Sequence, residues 1–219
     1  MTRFERKFFL GKAYLGHIFT ALQEFGYHQT YSERKIISIY YDTDDFLLFR
    51  LSEEGVSSRK KIRVRYYNFN IKTAKIENKH KIAESGWKSY LELDVKSNSK
   101  NIRLDTSCLS LTESSILIPS NIGIQFKPVL CVSYVRKYLE SPFRNNRITL
   151  DDQISYSKLS KEGESYKLVP NIFSDHCILE VKYGSDVTPD YSFFNYFSDN
   201  YQLVMTRFSK YCEGIRILY

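Results

Sequence analysis

Six short stretches of this chain place charged side chains at alternate positions, the spacing that brings them onto one face of an extended strand. Arg59, Lys61, Arg63 and Arg65 form the longest row, with Ile62 and Val64 opposite. Glu92, Asp94 and Lys96 share a face against Leu93 and Val95, and Tyr134, Arg136 and Tyr138 repeat the pattern. Arg147, Thr149 and Asp151 oppose Ile148 and Leu150, Glu180 and Lys182 oppose Leu179 and Val181, and Glu5 pairs with Lys7 near the start. These residue types suit phosphate. A guanidinium matches phosphate oxygens through its planar fork, and an ammonium acts as a compact point charge. The acidic minority has the hard oxygens that bind Mg²⁺ or Mn²⁺ while sharing the ion with phosphate. The four histidines, His17, His28, His80 and His176, are isolated, and no Ser/His/Asp or Cys/His constellation supplies a nucleophile. Phosphoryl transfer needs none, because positioning and charge neutralisation do most of its work.

The elements that must hold these rows are mostly strands. Period-two alternation predicts strands over Ile36–Tyr41, Arg59–Tyr67, Lys88–Lys96, Val129–Glu140, Arg147–Asp151 and Cys177–Tyr183. One helix is expected over Tyr14–Phe25, where Leu15, Ile18, Phe19, Leu22 and Phe25 fall on one face and Gly26 follows. A last helix is expected over Met205–Cys212, ending at Gly214, while Asp105–Leu117 and Ser192–Tyr201 read as helical or irregular. A single charged face is ordinary solvation in an antiparallel sheet. Six such faces, rich in Arg and Lys, are explained economically by a closed sheet whose charged faces line a bore and whose apolar faces lie beneath helices. Buried ions cost several kcal/mol each, so such a bore must stay wet or be matched by a polyanion.

Composition agrees with an anionic partner. The 219 residues carry a formal charge of +7, and no repeat or low-complexity linker divides them, so one domain over residues 1–219 is expected. Eighteen Tyr and fifteen Phe favour strands, where flat rings pack across the pleat. The scattered cysteines, Cys108, Cys131, Cys177 and Cys212, form no Cys-x-x-Cys pair and read as buried thiols in a reducing compartment. The basic N-terminus is followed by an apolar stretch broken by Lys12, and no run approaches twenty apolar residues, so a cytoplasmic setting is expected. Charge of this size predicts salt-sensitive stickiness to nucleic acid, but no motif points to a specific nucleic-acid partner.

Eight segments carry a family resemblance in order: Phe4-Glu5-Arg6-Lys7-Phe8, Ile39-Tyr40-Tyr41-Asp42-Thr43, Lys61-Ile62-Arg63-Val64-Arg65-Tyr66-Tyr67, Leu91-Glu92-Leu93-Asp94-Val95-Lys96, Pro128-Val129 onward to Tyr134-Val135-Arg136, Arg147-Ile148-Thr149-Leu150-Asp151, Ile178-Leu179-Glu180-Val181-Lys182 and Phe208-Ser209-Lys210-Tyr211-Cys212. The chain resembles the VTC (vacuolar transporter chaperone) domain family of the triphosphate tunnel metalloenzymes. That resemblance implies an α+β fold with a closed antiparallel eight-stranded β-tunnel and helices packed on its outer face. It implies a polyphosphate polymerase-like phosphotransferase that moves the γ-phosphate of ATP onto polyphosphate with Mn²⁺ or Mg²⁺. Carried over by position, Lys7, Arg63, Arg65, Lys96, Arg136 and Lys210 are the catalytic phosphate ligands, with Arg207 as a further basic residue. The alternating rows add Lys61 and Lys182 to the phosphate-binding set. Glu180 stands as the metal carboxylate, with Glu5, Glu92 and Asp94 as further candidates. The resemblance also implies a membrane-protein partner.

The chain departs from the family pattern in places. Asp94 replaces the commoner Glu, Val135 interrupts the usual Tyr-Glu-Arg, and Arg3 stands where the triphosphatase branch has the first of its doubled Glu. The next strand's basic residue has Lys100 and Arg103 as candidates. Two rivals follow: an inorganic triphosphatase using the same tunnel, and a non-catalytic module binding polyphosphate or other anionic phosphates.

Overall fold

The computed structural model describes residues 3–82, 85–92, 104–105, 108–109, 126–142, 144–162, 165–169, 171–184, 191–201 and 203–219. Strand β1 (Arg3–Gly11) leads through a 3-10 turn (Lys12–Tyr14) into α1 (Leu15–Glu24), followed by β2 (His28–Asp42) and α2 (Leu47–Glu53). Then come β3 (Ser58–Tyr67), β4 (Asn70–Ile82), β5 (Ser85–Glu92) and two two-residue strands, β6 (Leu104–Asp105) and β7 (Cys108–Leu109). The chain continues with β8 (Lys127–Ser141), β9 (Arg144–Glu162), β10 (Ser165–Leu168), β11 (Ile172–Phe173) and β12 (His176–Gly184). It ends with α3 (Tyr191–Tyr201), β13 (Val204–Thr206) and α4 (Lys210–Leu218).

Mostly antiparallel sheet with few helices, the fold agrees with the expected class. Among the described residues, eleven strands form one sheet along the path β13-β1-β12-β9-β8-β2-β3-β4-β5, with β10 and β11 paired to β9. That path has two ends and more strands than the expected eight. The three extra strands are the short β10, β11 and β13, paired to β9 and β1, while β4, unforeseen in the sequence, returns against β3. Asp94 and Lys96, with Lys100 and Arg103, lie outside the described residues, as does most of Asp105–Leu117.

The chain divides into two compact units. The first holds residues 1–35, 134–154 and 173–208, and the second holds 36–133, 155–172 and 209–219. In the first unit, the apolar residues that alternate with the charged rows form the core. Phe8, Leu10, Leu139, Ile148, Leu150, Leu179 and Val181 pack with Ile18 and Leu22 of α1 and Phe197 of α3. Helix α1 starts and stops within a residue of expectation, and Gly26 takes the left-handed φ of 80° that ends it. In the second unit, Ile37, Ile39, Tyr41, Ile62, Val64, Tyr66, Ala74 and Ile76 gather with Leu48 of α2. The charged rows are thus the opposite faces of the same strands.

Two helical expectations are corrected. Residues 204–206 form a strand, and α4 begins only at Lys210, because Ser209 caps it by accepting from the Cys212 N–H. Gly214 lies inside α4 instead of ending it: a Cβ there would stand 2.6 Å from Leu130 and 2.7 Å from Tyr156. Nor do all helices pack on the apolar faces. Tyr211 of α4 stacks on Tyr40 with ring centroids 5.1 Å apart, and Ser209 accepts from Lys61, so α4 sits on the polar face of β2 and β3.

Candidate functional site

In the first unit, the sheet path β1-β12-β9-β8 sets the rows side by side. Lys7 stands opposite Glu180, which stands opposite Thr149, and Glu5 opposite Lys182, which stands opposite Arg147. Glu180, 6% exposed, is the centre of this face. Its carboxylate accepts from Lys182 Nζ at 2.9 Å and lies 3.4 Å from Arg136 Nη2, 3.4 Å from Thr149 Oγ1 and 3.8 Å from Lys7 Nζ. Arg136 also forks onto buried Asp151, Nε to Oδ1 at 2.5 Å and Nη2 to Oδ2 at 2.6 Å. Burial opposes the charge on Arg136, but Asp151, Tyr134 and Glu180 outweigh it and hold the guanidinium more firmly protonated than usual. Lys7 Nζ donates to the Phe208 carbonyl at 3.0 Å and meets Glu5 at 3.1 Å, while Glu5 also lies 3.9 Å from Lys182.

The second unit has its own cationic face, on β2, β3 and β4. Ser38 stands opposite Arg65 and Arg65 opposite Lys75; Tyr40 stands opposite Arg63 and Arg63 opposite Glu77; Lys61 stands opposite Lys79. Buried Glu77 draws the row together. Arg63 donates to it through Nε at 2.7 Å and Nη2 at 2.5 Å, and Arg65 Nη1 lies 3.8 Å away. The third arm of the Arg63 fork, Nη1, donates to the Tyr40 hydroxyl at 3.0 Å, and Arg65 Nε donates to Ser38 at 3.1 Å. Burial pulls the Tyr40 phenol upward, yet Arg63, Arg65 and Lys210 overcome it and leave the group below its ordinary value. Lys61 Nζ donates to Ser209 at 2.7 Å and lies 3.5 Å from Cys212 Sγ.

Helix α4 is held against this face by Asp42. Its carboxylate accepts from the Tyr211 hydroxyl and from the backbone N–H groups of Thr43, Leu48 and Phe49, so one buried acid both caps α2 and anchors α4. Burial, then Asp42, push the Tyr211 phenol well up. The Asp42-Thr43 and Tyr211 positions of the matched segments are therefore framework.

The structure brings Glu5, Lys7, Arg136, Glu180 and Lys182 together on one face, and Lys61, Arg63 and Arg65 on another. Lys210 opens α4 in the second unit, close enough to act on Tyr40. Arg207, in the first unit, is exposed just after β13. Glu92 ends β5 at the register position opposite Lys75. Lys96 and Asp94 fall outside the described residues. Sequence reasoning missed Glu77, Tyr40 and Ser38; the signal for Glu77 was its place in the alternation Lys75, Glu77, Lys79, Lys81.

For a divalent metal, Glu180 and Glu5 present hard oxygens on one face, bridged by Lys7 and Lys182. Among the described residues, no three His, Cys, Asp or Glu side chains gather to hold an ion between them. An ion here would fit only by taking its remaining ligands from phosphate oxygens and water, a mode usual for Mg²⁺.

Comparison with known proteins adds the following. The VTC domain model matches residues 2–219. Among solved structures, a "putative adenylate cyclase" from Bacillus halodurans is similar with a TM-score of 0.54 and 15% identity, covering 100% of both chains. A "putative adenylate cyclase" from Vibrio parahaemolyticus reaches a TM-score of 0.49 at 12% identity, covering 99% of each chain. The likeness to the first is one of fold. No curated protein matches the sequence.

Proposed function

This chain belongs to the VTC domain family, and from that premise we propose that it is a polyphosphate polymerase-like phosphotransferase, acting as one VTC-like domain over residues 1–219. The reading includes a β-tunnel of the kind the family resemblance implies. One observation carries it: Lys61, Arg63 and Arg65 share a single strand face, with two of the three guanidinium and ammonium heads drawn to the one carboxylate of Glu77. A polyanion is the natural partner for such a row.

In the proposed reaction, a terminal oxygen of polyphosphate attacks the γ-phosphorus of ATP, the bond to the bridging oxygen breaks, and ADP leaves. Arg63, Arg65, Lys61, Lys210 and Lys96 hold phosphate oxygens, as do Lys7, Arg136, Lys182 and Arg207. Each neutralises charge and fixes an oxygen without any covalent role. Bound Mn²⁺ or Mg²⁺ would neutralise further phosphate charge, with Glu180 as its carboxylate and Glu5, Glu92 and Asp94 as secondary candidates. Thr149 and Arg136 orient Glu180, and Asp151 fixes Arg136 in turn. We place the protein in the cytoplasm, with no specific nucleic-acid partner. A membrane-protein partner rests on the family resemblance. Among the described residues no helix is long and apolar enough to cross a membrane.

A second reading has its own support. Glu180 is already engaged by Lys182, Arg136 and Thr149, as a carboxylate that only balances charge would be, and this favours a binding module without turnover. One experiment separates the two. Wild type and Glu180→Gln are incubated with ATP and Mn²⁺, and polyphosphate, ADP and orthophosphate are resolved. The polymerase reading expects polyphosphate and ADP from wild type. In Glu180→Gln it expects nearly complete loss of turnover, with metal-free triphosphate binding kept or tightened because a negative charge has gone. Orthophosphate without chain growth identifies a triphosphatase. Absence of turnover with every divalent metal, with triphosphate still bound, leaves the binding module.

A further inference from the structure

The first half of β2 is an anomaly. His28 to Arg34 are exposed on both strand faces, whereas Ile36 to Asp42 are buried throughout. Within this stretch Tyr31 is 54% exposed, a large ring that the core does not use. It meets Tyr138 of the neighbouring strand β8 at 89°, with centroids 6.1 Å apart, and the Arg34 guanidinium lies 5.8 Å from the Tyr31 centroid and 5.6 Å from that of Tyr138. The two rings and the cation form a right-angled corner open to solvent. Tyr138 also follows Arg136 by two residues on the same face of β8, a separation of about 6.6–6.8 Å along the strand. An aromatic corner therefore stands one side-chain step from a proposed phosphate ligand.

We propose that Tyr31, Tyr138 and Arg34 form a nucleobase platform, which receives the purine of a nucleoside triphosphate whose phosphates lie towards Arg136, Lys7 and Lys182. This inference rests on the phosphate-binding reading above. A flat base stacks on the exposed face of one ring while its edge meets the other, and the guanidinium covers the corner with a cation–π contact. Such stacking needs no hydrogen-bond readout, so the platform selects a nucleotide over a bare inorganic phosphate chain without strong preference among bases. It gives the first unit a means to distinguish donor from acceptor: ATP carries a base, and polyphosphate does not.

The test compares ATP with inorganic triphosphate by titration calorimetry in wild type, Tyr31→Ala and Tyr31→Phe. In Tyr31→Ala, ATP binding should weaken by about fivefold to a hundredfold, the range for losing one base–aromatic stack, while triphosphate binding stays within about twofold. Tyr31→Phe, which keeps the ring, should restore ATP binding. A change in both ligands together, or in neither, overturns the platform and leaves the phosphate-binding reading standing. A wild-type chain that binds neither ligand overturns both.

Discussion

At the scale of single residues, Arg63 has two duties that pull against each other. It belongs to the proposed phosphate row, and it also supplies two donors to buried Glu77. Removing it should weaken triphosphate binding by about 1.5–3 kcal/mol, roughly ten- to a hundredfold. It should also lower stability by about 1–3 kcal/mol, since the buried Glu77 carboxylate loses two charge-assisted hydrogen bonds. Arg63→Ala with Glu77→Gln separates the duties. Denaturant melts should recover most of the lost stability, and calorimetry should find triphosphate affinity still weak. If affinity returned along with stability, Arg63 would be framework rather than a ligand. The rows of cations were legible in the sequence because period two places Arg63 and Arg65 on one face whatever lies around them. Their partners were not, because the Arg63–Tyr40 and Arg63–Glu77 contacts join residues on different strands and depend on register.

At the scale of elements, legibility followed how strongly each segment alternates. Strand β3 announces itself, with Ile62 and Val64 buried against an unbroken cationic row. Strand β4 mixes Ala74 and Ile76 with Asn78 and His80 on its second face, and that diluted pattern hid it. Helix α2 spans only seven residues and takes its cap from Asp42 and Thr43 across a left-handed Phe46, a geometry visible only once the chain has turned. Gly214 was legible as a glycine but misread as a terminator. Its purpose is clearance, since Leu130 and Tyr156 are fully buried and cannot retreat. Gly214→Ala gains about 1 kcal/mol of helix propensity, but overpacking costs typically about 1–3 kcal/mol. Urea unfolding should therefore report a net loss. A variant more stable than wild type would mean that α4 lies farther from β8 and β9 than this contact requires.

At the scale of the whole molecule, a net charge of +7 makes the folded chain a store of repulsion that an anion relieves. Triphosphate should raise the melting temperature well beyond what ionic strength achieves. At a thousand dissociation constants of ligand the gain is about 4 kcal/mol, or roughly 8–16 °C at about 2–4 °C per kcal/mol for a chain of this size. Orthophosphate at matched ionic strength should do far less, because it cannot span several basic residues. Equal shifts from both anions in a thermal melt would reduce the effect to screening.

Tyr40 turns this electrostatics into an optical gauge. Its phenol sits below its ordinary range because the Arg63 and Arg65 charges outweigh burial. An anion seated on those guanidiniums would cancel part of that field, and the phenol would climb back towards its ordinary value. At a pH chosen within the Tyr40 transition, binding should then be read as a fall in tyrosinate absorbance, with no label attached. The other buried phenols Tyr41, Tyr66 and Tyr211, all pushed upward by burial, stay protonated and silent at that pH. Tyr40→Phe would remove the signal while leaving the cations in place.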